Sequence, residues 1–441
     1  MNSRLDPPAK PPVQRVSYIR HIFALLLVFG TIEAAQQRGI AWFDWTASTG
    51  LNPAFQEAWA WRIGRLDLRY RLLDAAYLPE VQRVYNVYPP LITLITYLAV
   101  WMVPVETAMP TPESMPAFHI LPLIVFGISV PLTAYAVFFR RTRSVAAAAL
   151  LTLALVGGSA VMPCIAAARQ DYIYHQNHLL SQVGLLLLAG ELFGRRRAWV
   201  LLVGLLIAAW TRQLTIFFAL PILYVLATSI ARLQHGDQPA MADVSSLRFG
   251  KLASLAIGIA FIVCVPLAMN QAKFGNAFDS GYQHLYHDRT TPAAINARQY
   301  GLFSPHFVGM NAYYMNTALP FSFDDDNRIR FDPSPHGTAL WFTTPIALLA
   351  VIGICRKPRD QVAFALCVGS MPIVLAHLFY HNTGYVQHGY YRFALDYLPV
   401  WLVAAAPWLM RGRQRWLSTA CILWSVAYFA YLRHALPSTA L

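Results

Sequence analysis

The sequence predicts an all-α protein, a polytopic transmembrane helical bundle of about eleven crossings with interfacial helices in a large first external loop. Three observations predict it. The 441 residues are 57% hydrophobic and only 12% charged, with a mean hydropathy of +0.43, outside the range of soluble domains. Apolar runs such as 21–30, 145–161, 252–269 and 416–432 approach or reach the ~20 residues that ~30 Å of hydrocarbon requires. In lipid, such runs satisfy their backbone only as helices or closed barrels. The basic residues fall in short clusters between these runs, as topology determinants do.

Placing the clusters on the cytoplasmic side puts Lys10/Arg15/Arg20, Arg140/Arg141/Arg143, Arg195 to Arg197, the 232–251 loop, Arg356/Lys357/Arg359 and Arg411/Arg413/Arg415 inside. The expected layout is a cytoplasmic tail at 1–17, a transmembrane domain at 18–435 and an external tail at 436–441. Crossings fall at 18–36, 118–138, 144–166, 178–194, 198–211, 213–231, 252–270, 338–355, 361–380, 395–410 and 416–433. External loops are 37–117, 167–177, 271–337 and 381–394. The first apolar run reads as an uncleaved first helix of a multi-pass cell-membrane protein.

Segment 89–105 does not fit as a crossing, because a crossing there would move every later basic cluster outside. It starts with Pro89-Pro90 and is short, so it is expected to lie along the outer interface. Segment 198–230 starts and ends inside and is expected to form a tight hairpin, with a first arm of about fourteen residues and Arg212 at its tip.

The net charge of +13 does not gather on one face, which argues against a nucleic-acid partner. The five cysteines sit within apolar segments without a CxxC pair and read as buried thiols. No phosphate-binding loop, dinucleotide fingerprint or GxSxG elbow is present. Asp324-Asp325-Asp326 lacks the Gly and terminal Glu of a calcium loop.

The candidates for chemistry lie in the external loops. The aromatics of the first loop, from Trp42 and Trp45 to Trp59 and Trp61, suit an amphipathic helix in the headgroup layer. The acids there, Asp44, Glu57, Asp67, Asp74 and Glu80, are solvated surface charges or, beside a membrane-borne substrate, bases for an acceptor hydroxyl. Arg212 is an intramembrane cation whose burial costs at least ~2.5 kcal/mol without a partner. Its anion is either a protein carboxylate such as Asp171 or a lipid phosphate. Arg392 and Asp396, at i and i+4 on the outer start of a helix, are expected to share a face and pair. His175 and His178 stand at i and i+3, which suits a divalent metal ion, but no third ligand adjoins them. Hydrogen bonding to a sugar, a phosphate or loop backbone fits these two better.

In their order, five segments resemble the integral membrane glycosyltransferases of the C class (the GT-C fold), which include protein mannosyltransferases and lipid A aminoarabinose transferases. They are Gly64-Arg65-Leu66-Asp67-Leu68 leading to Tyr88-Pro89-Pro90-Leu91; the 204–221 hairpin with Thr211-Arg212; Asn270-Gln271-Ala272-Lys273-Phe274-Gly275-Asn276 with Gly281-Tyr282; His336-Gly337 with Thr343-Thr344-Pro345; and Gly389-Tyr390-Tyr391-Arg392-Phe393-Ala394-Leu395-Asp396. The resemblance implies transfer of a sugar from a polyprenyl-phosphate donor to a lipid, glycan or protein acceptor on the external face, with an acid of the first external loop acting on the acceptor or a metal. The Asp-Glu pair that better-known members carry after the first helix is replaced by Ser48-Thr49-Gly50-Leu51-Asn52. The expected base is therefore Asp74, placed ahead of the Tyr-Pro-Pro element, with Glu57 and Glu80 as second choices. The expected substrate-binding residues are Arg212, Arg392, Asp396, His175, His178, Tyr88 and Tyr390. A divalent metal ion is the one cofactor left open. The competing readings are a lipid or solute transporter, suggested by the intramembrane Arg212 and the short hairpin arm, and a non-catalytic scaffold of the same fold.

Overall fold

The computed structural model describes residues 18–35, 52–72, 74–101, 123–168, 173–234, 243–287, 289–326, 328–356, 360–384, 387 and 389–435. Both expected tails, Trp42, Asp44, Trp45, Asp171 and the 48–51 stretch lie outside these residues. Among the described residues the fold is mostly helical, with two short antiparallel hairpins as its sheets.

Among the described residues three helices are long and apolar enough to cross a membrane, at Leu123–Thr142, Leu252–Phe274 and Gln361–Phe379. The second has only 11% of its most apolar window buried inside the protein. Ile257 and Phe261, four residues apart on it, stand exposed, as they do where a helix meets lipid rather than water. The expected 144–166 crossing is a broken pair, Val145–Val156 and Val161–Ala168, bent by 60°. The break falls at Gly157-Gly158-Ser159, where the Ser159 hydroxyl bonds back to the carbonyl of Leu155 and Thr344 donates to the Gly158 carbonyl at 3.2 Å. Glycine pairs and serine back-bonding are the usual causes of such bends. Other expected crossings fall on shorter apolar helices, Ala198–Ala209, Ile346–Cys355 and Leu398–Leu409.

The first external loop departs from its expected interfacial role. Helix Pro53–Arg62 starts on Asn52, whose side chain accepts the Ala54 N–H at 2.8 Å, with Pro53 in the first helical position where its missing N–H costs nothing. All of Pro53 to Ala60 is buried. The helix packs against Leu91–Val100, so Trp59 is a core residue rather than a headgroup anchor. Helix Leu91–Val100 has ten residues and spans roughly 15 Å, about the length of Ile346–Cys355. Between these helices lies the hairpin Ala75–Leu78/Arg83–Asn86, registered Ala75 to Asn86.

The 198–230 segment also differs from expectation. Its first arm, Ala198–Ala209, packs on Ile173–Leu192 and on Asp243–Phe274, whereas Ala219–Gln234 packs on Gln361–Phe379. Ala219–Gln234 also meets Asp243–Phe274, so the arms share that one neighbour, part on the others, and are joined by a 3-10 turn at Gln213–Phe218. The contact between Ile173–Leu192 and Ala198–Ala209 is a glycine seam. A Cβ on Gly184 would lie 2.5 Å from the Ala208 nitrogen, and one on Gly204 would lie 2.9 Å from the Leu188 nitrogen. Small residues let the two backbones touch, which sets the chain after Ala209 beside the first turns of the 173–192 helix.

Candidate functional site

That seam brings Thr211 and Arg212 level with Tyr174, Asn177 and His178. Arg212 grips Asp396 with two nitrogens, Nε to Oδ1 at 2.9 Å and Nη2 to Oδ2 at 2.8 Å. The Asp396 carboxylate is wholly buried, and His178 Nδ1 at 3.5 Å and His377 Nε2 at 3.2 Å flank it. This is the fork-to-fork geometry in which an arginine and a carboxylate bind most specifically. The expected Arg392–Asp396 pairing is replaced by this one, because residues 392–396 form a 3-10 turn. With about three residues per turn, positions i and i+4 no longer share a face. The Arg392 guanidinium instead lies 4.7 Å from the ring centroid of Tyr174, and its backbone N–H donates to Gln387 at 3.0 Å.

The 52–101 segment reaches the same place through its hairpin. Because Ala75 pairs with Asn86, Asp74 and Tyr88 sit just beyond the open end of the two strands. Asn86 accepts the Tyr88 N–H at 3.0 Å. Leu91 N–H donates to the Trp210 carbonyl at 3.1 Å, fastening the Tyr88-Pro89-Pro90 element to the turn that carries Arg212. From the second long loop, helix Tyr282–Leu285 packs on strand 75–78, and the Tyr88 and Tyr282 rings meet edge to face at 6.1 Å.

These elements enclose a cavity of about 370 Å³. Asp74, Tyr88, Arg212 and Arg392 line it, with Tyr174, Asn177, Tyr282, Tyr286, Arg289, His377 and Tyr380. Among the described residues its wall thus carries three guanidinium groups and, in Asp74, one carboxylate. Burial raises the Asp74 carboxyl above the ordinary range, while the positive charges of Arg289 and Arg392 pull it back down. Burial likewise raises the phenols of Tyr88, Tyr282 and Tyr286, so these act as neutral hydrogen-bonding walls at neutral pH. An excess of cation in a tyrosine-lined cavity suits an anionic headgroup bearing hydroxyls.

The remaining candidates lie outside the cavity lining. Glu57 is fully buried and ion-paired with Lys273. It also accepts from Asn86 Nδ2 and Thr93 Oγ1, each at 2.7 Å, and Lys273 donates to the Asn86 carbonyl at 3.1 Å. This knot ties the 53–62 helix, the hairpin, the 91–100 helix and the end of the 243–274 helix. Glu80 is exposed in the hairpin turn. His175 is buried against the ring of Tyr174, at 4.3 Å between centroids. His178 stands behind Arg212 at the Asp396 carboxylate. Tyr390 is buried. Asp67 pairs with Arg65, which holds its carboxyl below the usual range. Among the described residues no group of three or more His, Cys, Asp or Glu is placed to hold a metal ion.

Sequence reasoning did not single out Tyr286, Arg289, His377 or Tyr380 as site residues. Tyr282 stood within a quoted motif, next to the left-handed Gly281 that turns it inward. For Arg289 the sequence offered no signal that set it apart from Arg298, Arg328 and Arg330 of the same long loop. No protein-family model matches the chain, and no curated protein matches it.

Proposed function

We propose that this protein is a membrane glycosyltransferase that moves a sugar from a polyprenyl-phosphate donor to a lipid, glycan or protein acceptor. On this reading the helices form a C-class bundle of about eleven crossings, with the N-terminus cytoplasmic and the cavity opening to the external face. The observation that carries the reading is the convergence of Asp74 with Arg212, Arg289 and Arg392 on one tyrosine-walled cavity, built where both long external loops meet the turn after Ala209.

The chemistry follows from the charges. Asp74 takes the proton of the acceptor hydroxyl as its oxygen attacks the anomeric carbon; the bond from that carbon to the phosphate oxygen breaks, and the guanidinium groups hold the departing phosphate. A carboxylate raised by burial is a stronger base than one in water. The apolar 91–100 helix, fastened to the cavity rim through Leu91, offers a surface for the isoprenoid chain.

The test is transfer of radiolabelled sugar from a polyprenyl-phosphate sugar by protein in liposomes. Wild-type protein labels an added acceptor lipid or glycan, and Asp74→Asn does not. Equal labelling by both proteins removes Asp74 from the mechanism, and no consumption of donor by the wild type sinks the transferase reading.

The bent 145–156/161–168 pair favours a second reading as a lipid or solute transporter, since transporters place broken helices at their binding sites. Movement of the intact donor across the bilayer without cleavage supports that reading.

A further inference from the structure

The three cavity arginines are not equivalent. Arg212 spends both Nε and Nη2 on Asp396, and Arg392 is nearly buried over the Tyr174 ring. Arg289 differs, because it comes from a loop, is half-buried, and lies over the Tyr286 ring, 6.0 Å from its centroid. It also acts electrostatically on Asp74, together with Arg392.

The loop carrying it is clasped from outside. Arg298, exposed on helix Pro292–Tyr300, directs Nη1 at three carbonyls of that loop: Tyr286 at 2.5 Å, His287 at 3.1 Å and Arg289 at 2.6 Å. A guanidinium shared by the carbonyls of Tyr286, His287 and Arg289 ties these residues together. The start of the same helix, at Thr291 and Ala293, lines the cavity, so its positive pole adds to the charge of Arg289.

Resting on the proposed donor, we propose that Arg289 is the residue that recognises the phosphate of the lipid-linked sugar, and that Arg298 is the positioning residue that holds it there. Arg212 then acts chiefly as a wall of the cavity, its charge answered by Asp396.

The test is equilibrium binding to full-length protein in detergent micelles of a polyprenyl monophosphate, the matching polyprenol and inorganic phosphate. Wild-type protein prefers the lipid phosphate to the alcohol. Arg289→Ala weakens binding of the lipid phosphate by roughly tenfold or more and leaves polyprenol binding unchanged, and Arg289→Lys restores part of the loss. Arg298→Ala gives a smaller loss of about threefold, again confined to the phosphate. Inorganic phosphate binding wild-type protein as tightly as the lipid, and lost in Arg289→Ala, supports the phosphate site but assigns it to a free anion and removes the lipid donor. An Arg289→Ala variant that keeps the full preference for phosphate, or loses phosphate and alcohol binding equally, overturns the assignment and leaves the proposed function standing. Equal binding of phosphate and alcohol by the wild type overturns both.

Discussion

Arg212 and Asp396 lie 184 positions apart and close a two-pronged ion pair at 2.9 and 2.8 Å, with the carboxylate sealed from solvent. Removing one member of such a pair strands the other, whereas removing both charges does not. Arg212→Ala is therefore expected to destabilise the protein by about 3–5 kcal/mol, and the double variant Arg212→Met/Asp396→Asn to recover most of that loss. Denaturant unfolding of the single and double variants in detergent checks this. A single variant as stable as the wild type shows that the pair adds little.

Asp74→Asn is expected to lower turnover by roughly 10²–10⁴-fold while donor affinity stays within about threefold, the pattern of a lost general base. Steady-state kinetics paired with binding separates the two effects. Glu80→Ala, in the exposed hairpin turn, is expected to change neither.

The pH profile follows from the same carboxylate. A base works only when ionised, so activity falls as pH drops through the Asp74 pKa, which burial has raised. The acid limb is thus expected above the ordinary carboxylate range. Arg289 lowers that pKa, so Arg289→Ala moves the limb to still higher pH. A shift in the opposite direction would show that another group governs the limb.

Lys273→Met leaves Glu57 charged and buried beside Asn86 and Thr93 and is expected to cost about 3–5 kcal/mol. Adding Glu57→Gln to it returns most of the stability. Because the knot includes Asn86, whose side chain holds Tyr88, the double variant is expected to keep its fold yet bind donor less well. Unfolding and binding measured on the same samples test both halves.

Gly184→Leu sets a side chain where even a Cβ would stand 2.5 Å from the Ala208 nitrogen. Overpacking of this kind typically costs about 1–3 kcal/mol, occasionally more, and here it also displaces the chain entering Arg212. Thermal unfolding in detergent is expected to show a lower midpoint, with Gly30→Leu, where a Cβ meets nothing within 4 Å, as the control.

The helical, apolar character of the chain was legible from its runs of hydrophobic residues, and the short reach of 91–100 from Pro89-Pro90 and its length. Asp74, Tyr88, Arg212 and Arg392 were named from sequence and line one cavity. The partner of Arg212 was not legible, because a contact spanning 184 positions leaves no local pattern, and the nearer Asp171 suggested itself instead. Arg392 and Asp396 were matched on α-helical spacing that a 3-10 turn does not keep. Helix 53–62 read as a surface element because its Trp and Glu residues look polar or interfacial one at a time. Its burial depends on Lys273, 187 positions beyond Asn86, arriving to neutralise Glu57.

The glycine seam bears on how the cavity opens. With Gly184 and Gly204 leaving no gap between their helices, that side of the chamber travels as one rigid slab. On the proposed function, entry of the donor then depends on the 280–303 wall, which is held by Arg298 and by the His381 N–H on the Leu302 carbonyl at 2.9 Å.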